Sequence, residues 1–248
     1  LGAEKFFDIK CQSAGISPKA VVLTATIRAL KYHGGASLDR LTATDVEALK
    51  KGLPNLEKHL ENISYFNVTP VIAINRFSSD TEEEIAVIRE KAKELGIRCA
   101  VADLWAKGGE GAIELAREVI EVAESNPPVF DPMYDWSWDV KKKIETVATK
   151  IYGAEHVDYS PQAKKDLKKI AELGLEQMPV CIAKTQKSLS DNPALLGRPK
   201  DFIITVREIE IASGAGFLIH FWHTAWAWVR GLGIRPGDGA KPRSGSSA

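Results

Sequence analysis

Two apolar runs, one helix-length apart and each ending in a loop with a single large aromatic, constrain this chain more than any other feature. The first runs from Val71 to Thr81, VIAINRFSSDT; the second ends from Leu104 to Gly111, LWAKGGEG. Between them lies TEEEIAVIREKAKELG, which has the length and apolar spacing of one amphipathic helix. Strand, helix and strand in that order predict a βαβ unit, whose strands are parallel. Phe77 and Trp105 then leave the sheet at the same edge. Open α/β sheets bind ligands beyond the carboxyl ends of their strands, so two rings facing each other there form a slot for a flat ring.

The same reading extends along the chain. Ala20 to Ile27 is a near-continuous apolar, β-branched run and predicts a buried parallel strand. It ends in RALKYHGG, where Gly34 and Gly35 permit a tight turn and place His33 at a strand end. Thr44 to Phe66 has helical spacing, which Pro54 either kinks or splits in two. Thr69 to Ile74 and Ile97 to Leu104 are the next strands. Asp80, with Glu83 three residues on, suits a capping box for the helix between them. Gly109 to Val122 is the third helix. Asn126 to Asp139 reads as a loop, Val140 to Tyr152 as a helix, and Ser160-Pro161 as the cap and first turn of a helix to about Leu173. Met178 to Ala183, Phe202 to Arg207 and Glu210 to Ala212 add strand. The fold expected is α/β, a mostly parallel sheet with helices on both faces. The expected organisation is a ring-binding region over residues 1–125, a C-terminal α/β region over 126–218, and a tail over 219–248.

Lysine plus arginine equals aspartate plus glutamate, 33 against 33. That balance argues against nucleic acid or an anionic membrane as the main partner and leaves small molecules. No run reaches membrane-spanning length. Cys11, Cys99 and Cys181 are too far apart for a zinc or disulfide framework and suggest reduced thiols in a cytoplasmic protein, with Cys99 and Cys181 in the core. The start, LGAEKFFDIKC, has neither a signal-peptide pattern nor an initiator methionine, and a fragment is expected.

Several residues at strand ends are candidates for binding. Asn75 either pairs with ring nitrogens or forms a turn. Lys107, Gly108 and Gly109 lead towards a helix N-terminus, where free N–H groups suit an anion; a plain glycine-rich connection is the alternative. His33 is a binding residue or a structural one. Lys184 either neutralises a carboxylate or phosphate, or lies in a solvated loop. No metal-ligand cluster is read, no catalytic residue is assigned, and Glu82, Glu83 and Glu84 are given no role beyond their fit to the helix dipole.

Eight ordered segments carry a family resemblance: EKFFDIKC, RALKYHGG, NLEKHLENI, INRFSSDTEEEI, WAKGGEGAIELA, KIETVATKIYGAEHVDYS, PVCIAKTQKSLS and FIITVREI. Together they resemble the C-terminal half of formate–tetrahydrofolate ligase, over Leu1 to Leu218. The resemblance implies an enzyme that joins formate to tetrahydrofolate at the expense of ATP, with Mg2+, through formyl phosphate to 10-formyltetrahydrofolate. It implies a cytoplasmic homotetramer with a P-loop-NTPase-like fold, of which this chain lacks the N-terminal half. It also implies that Phe77 and Trp105 sandwich a nucleotide or folate ring. A phosphate loop of the form G-x-x-x-x-G-K-S/T is absent from these 248 residues, so an incomplete ligase, inert alone, is expected. The rival reading is a non-catalytic module that holds folate or an adenine nucleotide. After Leu218 the sequence IHFWHTAWAWVRGLGIRPGDG departs from the family pattern, as a shifted reading frame or a misassembled gene end would make it. Residues 219–248 are therefore expected to form a tail foreign to the fold, disordered and without a family role.

Overall fold

The computed structural model describes residues 2–125, 130–183 and 188–222. The chain opens with a π-helical segment, Lys5–Cys11, continued by α1 (Gln12–Ala14). Then follow β1 (Val21–Ala25), α2 (Ile27–His33), α3 (Val46–Ser64), β2 (Pro70–Asn75), α4 (Glu82–Glu94) and β3 (Arg98–Ala102). A short α5 (Leu104–Lys107) and a 3-10 turn, Gly108–Ala112, lead to α6 (Ile113–Ser125). The later part holds α7 (Val140–Thr146) with a π-helical end, Val147–Tyr152, then β4 (His156–Tyr159), α8 (Pro161–Glu172), β5 (Val180–Ala183), β6 (Ile203–Val206), β7 (Glu208–Ala212) and β8 (Phe217–Phe221).

The α/β class is as expected, with the described strands divided among three small sheets. β1, β2 and β3 form a parallel sheet with Ala25 beside Ile74 and Asn75 beside Ala102. β4 pairs with β6 in parallel, and β8 lies between β5, parallel to it, and β7, antiparallel. In the first sheet β2 is buried on both faces. Ile72 and Ile74 pack with Leu49, Leu53, Leu56 and Leu60 of α3 and with Ile85 and Ile88 of α4, while α6 lies against β2 and β3. A second apolar cluster gathers residues 133–222 and also takes in Phe7, Cys11, Phe66 and Val68. The chain's first helical turns thus pack with its last strands, across the division expected at residue 125.

Local chemistry explains most boundaries and moves a few. Thr26 breaks the first apolar run: its hydroxyl accepts from Ala29 N and starts α2, so RALKYHGG is mainly helix and His33 ends a helix, not a strand. Gly34 and Gly52 let α2 and α3 touch backbone to backbone. A Cβ at Gly34 would stand 1.7 Å from Ala48 O, and one at Gly52 would stand 1.9 Å from Leu30 O. α3 runs unbroken through Pro54. The cap of α4 is Thr81 with Glu84, one residue on from the expected Asp80 and Glu83. Cys99 and Cys181 are partly buried and Cys11 is the fully buried thiol.

The expected tail begins inside a strand. Ile219, His220 and Phe221 belong to β8, and the Trp222 ring is wholly buried, edge-on to Tyr152 at 4.8 Å between centroids. Its indole N–H donates to His220 Nδ1 at 2.8 Å. Residues 223–248 lie outside the described residues.

Glu84 ties the first sheet's helices together. Its Oε1 meets Lys31 Nζ at 2.9 Å and accepts from Asp45 N at 3.1 Å, while Oε2 accepts from Thr81 N at 3.2 Å. Lys31 also donates to Ala43 O at 2.7 Å, and both side chains are sealed from water. Burial alone would raise the carboxyl pKa, but these donors hold it below its ordinary value. Removing one partner of such a pair strands the other charge. Glu84→Gln is expected to cost about 3–5 kcal/mol in chemical denaturation, with Lys31→Met/Glu84→Leu recovering much of that loss. Equal destabilisation by the single and the double variants would show that the charge pairing is not what matters.

Asp8 is a second buried carboxylate, with weaker compensation. Its Oδ1 accepts from Met133 N at 2.7 Å, while Oδ2 has no partner among the described residues. Burial, helped by Glu4 and opposed by the Met133 N–H, raises its pKa from 3.8 to about 7. The folded state therefore binds this proton more tightly than the unfolded chain. The stability it contributes is full below the unfolded pKa and is lost as pH rises through about 7. Between about pH 5 and about pH 8 the parent is expected to lose stability relative to Asp8→Asn, on the order of 2–4 kcal/mol. Parallel melting-temperature profiles for the two proteins would refute this.

Candidate functional site

The three parallel strands of the first sheet end at one edge, and each hands over to a different device. After β1, Thr26 starts α2 and puts Arg28 in its first turn. After β2, residues 76–81 form a tight loop. Arg76 N donates to Ala102 O, Phe77 N to Asp80 Oδ2 at 2.9 Å, and Asp80 N to Phe77 O at 3.0 Å. The Asp80 side chain thus closes the loop on the Phe77 backbone instead of capping α4. After β3, Asp103 N donates to Gly111 O and Lys107 N to Asp103 O, which closes a compact loop around Trp105. A Cβ at Gly111 would meet Asp103 O at 2.2 Å, so this closure needs glycine.

The two aromatics differ in support. Phe77 is 37 % exposed, and the Arg28 guanidinium carbon sits 4.3 Å from its ring centroid. Arg28 Nη2 donates to Ser79 Oγ at 3.1 Å, which fixes the guanidinium. Trp105 is 91 % exposed, leaving its faces to solvent. Two buried polar atoms here, Arg28 Nε and Asp80 Oδ1, lack a partner among the described residues. Such groups call for a hydrogen-bonding partner, water or ligand.

The other sequence candidates are scattered. Asn75 is the last residue of β2, beside Ala102, and stands at the same edge as Phe77. Lys107 points to Asp103, with 3.8 Å between charges. Gly108 and Gly109 open a 3-10 turn, so the helix N-terminus expected at Gly109 is displaced to Ile113. The anion cradle read from Lys107, Gly108 and Gly109 therefore does not face an α-helix start. His33 lies at the C-terminal end of α2, where its Nδ1 accepts from Gly197 N at 3.1 Å. Burial lowers its pKa, and its observed contact is a structural one. Lys184 lies outside the described residues.

Sequence reasoning did not single out Arg28 or Ser79, and it read Asp80 as a helix cap and not as a partner of the Phe77 backbone. A cation in the first turn of a helix opposes the helix dipole, but that misfit at Arg28 shows only once α2 is seen to start at Ile27. Among the described residues no group of three His, Cys, Asp or Glu side chains is placed to hold a metal ion. No helix among them is long and apolar enough to cross a membrane.

The family model for formate–tetrahydrofolate ligase matches residues 1–238. The chain belongs to that family. The match runs past Leu218 and so takes in β8 and Trp222. Membership makes formate and tetrahydrofolate the family's substrates and places the chain in one-carbon metabolism. In a ligase of this kind the edge just described offers a broad aromatic face, a second aromatic on a compact loop, and a cation behind the first.

Proposed function

We propose that this chain is the ring-binding part of a cytoplasmic, ATP-dependent formate–tetrahydrofolate ligase, and that Phe77 and Trp105 sandwich the flat ring of folate or an adenine nucleotide. The observation that carries this is the pair of exposed aromatics at the ends of adjacent parallel strands, at the edge where α/β sheets take ligands. Stacking on both faces orients a heterocycle and shields it from water, while its edge stays free for hydrogen bonding. Asn75 stands close enough in the sequence of the strand end to serve that edge. Phosphoryl transfer from ATP to formate, with its magnesium ion, needs phosphate-cradling groups. No G-x-x-x-x-G-K-S/T loop occurs in these 248 residues, so the chain by itself binds and does not turn over. The balanced charge supports small-molecule substrates over nucleic acid, and a homotetramer is the proposed assembly of the complete enzyme. The same missing loop favours a second reading, a folate- or adenine-nucleotide-binding module with no catalytic role of its own.

Two measurements separate these readings from error. Purified chain supplied with ATP, Mg2+, formate and tetrahydrofolate is expected to form 10-formyltetrahydrofolate only at background rate, and turnover above a heat-killed control contradicts that. Phe77→Ala and Trp105→Ala are each expected to weaken ring binding by about 1–3 kcal/mol in calorimetry. The double variant is expected to lose less than the sum, because one ring stacks poorly without the other. Unchanged affinity in both single variants would show that these residues only cover the sheet edge.

A further inference from the structure

We propose that Arg28 is a positioning residue of the ring slot, holding Phe77 from behind so that guanidinium, Phe77, bound ring and Trp105 form one layered stack. The inference rests on the slot reading given above. Strand order carries it. β2 lies between β1 and β3. Arg28 follows β1, Phe77 follows β2 and Trp105 follows β3, so Arg28 and Trp105 approach Phe77 from opposite sides. The guanidinium lies 4.3 Å from the Phe77 centroid, and strand order puts that contact on the β1 side and leaves the β3 side for a ligand.

Nothing about α2 itself asks for arginine at this place. It stands in the first helical turn, where the dipole disfavours a cation, and no carboxylate pairs with it among the described residues. Its contacts are the Phe77 ring and the Ser79 hydroxyl, both in the loop that presents the slot. A cation on one face of an aromatic ring draws π-density towards itself. The opposite face then favours an electron-rich, amino-substituted heterocycle. That is a chemical preference which Phe77 alone would not have.

The test uses the full chain with two probes, 5-formyltetrahydrofolate and ADP, in calorimetry, with melting temperature measured on every variant. Arg28→Met keeps the apolar stem and removes the charge; Arg28→Lys restores charge without the planar stack. For whichever probe Phe77→Ala weakens, Arg28→Met is expected to weaken binding about two- to tenfold, with Arg28→Lys between it and the parent and melting temperatures unchanged. In the free parent chain, the Arg28 Nε–H proton resonance is expected to be shifted upfield by the Phe77 ring current, and Phe77→Ala is expected to abolish that shift. Parent-like affinity of both Arg28 variants, where Phe77→Ala loses affinity, overturns the role of Arg28 and leaves the slot intact. Absence of the upfield shift overturns the stack whatever the binding data show, even if an Arg28 variant fails to fold. Parent chain that binds neither probe overturns the slot reading, and the role of Arg28 with it.

Discussion

The buried ion pair between Lys31 and Glu84 is the interaction on which the carboxyl edge of the first sheet depends. It does more than join two side chains. Glu84 also receives the backbone N–H groups of Asp45 and Thr81, so one carboxylate holds the start of α3, the start of α4 and the last turn of α2. Arg28 is one helical turn before Lys31, and the Phe77 loop ends at Thr81. The segments that carry Arg28 and Phe77 are therefore anchored through a charge pair that never meets solvent. Such pairs add little net stability over an apolar replacement, and geometric definition is their better attested use.

The glycine contact between α2 and α3 serves the same edge by a steric route. With Gly34 against the Ala48 carbonyl and Gly52 against the Leu30 carbonyl, the two helices approach as closely as backbones allow. Leucines 49, 53, 56 and 60 are thereby drawn down onto Ile72 and Ile74. The second cluster works differently. It is assembled from distant segments, with Phe7 stacked on Phe66 at 4.4 Å and Trp222 sealed against Tyr152. Long-range apolar contact of this kind leaves no periodic trace in any one segment.

That contrast explains what the sequence disclosed. The βαβ unit was legible because its strands are uninterrupted apolar runs and its helix carries the 3.6-residue period. The Ser160-Pro161 start of α8 was legible because capping is a local chemistry. Thr26 was harder to read: a β-branched residue inside an apolar run looks like strand until its hydroxyl is seen to cap α2. The choice of Thr81 over Asp80 turned on a tertiary fact, since Asp80 is engaged by the Phe77 backbone. β4 was missed because a short, partly polar strand is defined by its neighbours, and β8 because residues from Ile219 on were read as a tail foreign to the fold. Phe77 and Trp105 were placed at one sheet edge from residue type and position, and both stand there, after β2 and β3. Arg28 was not, because its partner lies across a strand order that spacing cannot reveal.

Adjacent strands lie about 4.8 Å apart, whereas a ring held between two others needs about 3.5–4 Å on each of its faces. The sheet's own pitch is thus too narrow for a sandwich, and the loops must spread the two aromatics. They do so unequally. Phe77 is held at its backbone by Asp80 and at its ring by Arg28, while Trp105 rides on a closed loop with its faces in water. On the proposed slot reading the edge is a calliper whose Phe77 jaw is held by its neighbours and whose Trp105 jaw stands in solvent, so the Phe77 side would set the plane in which a bound ring lies.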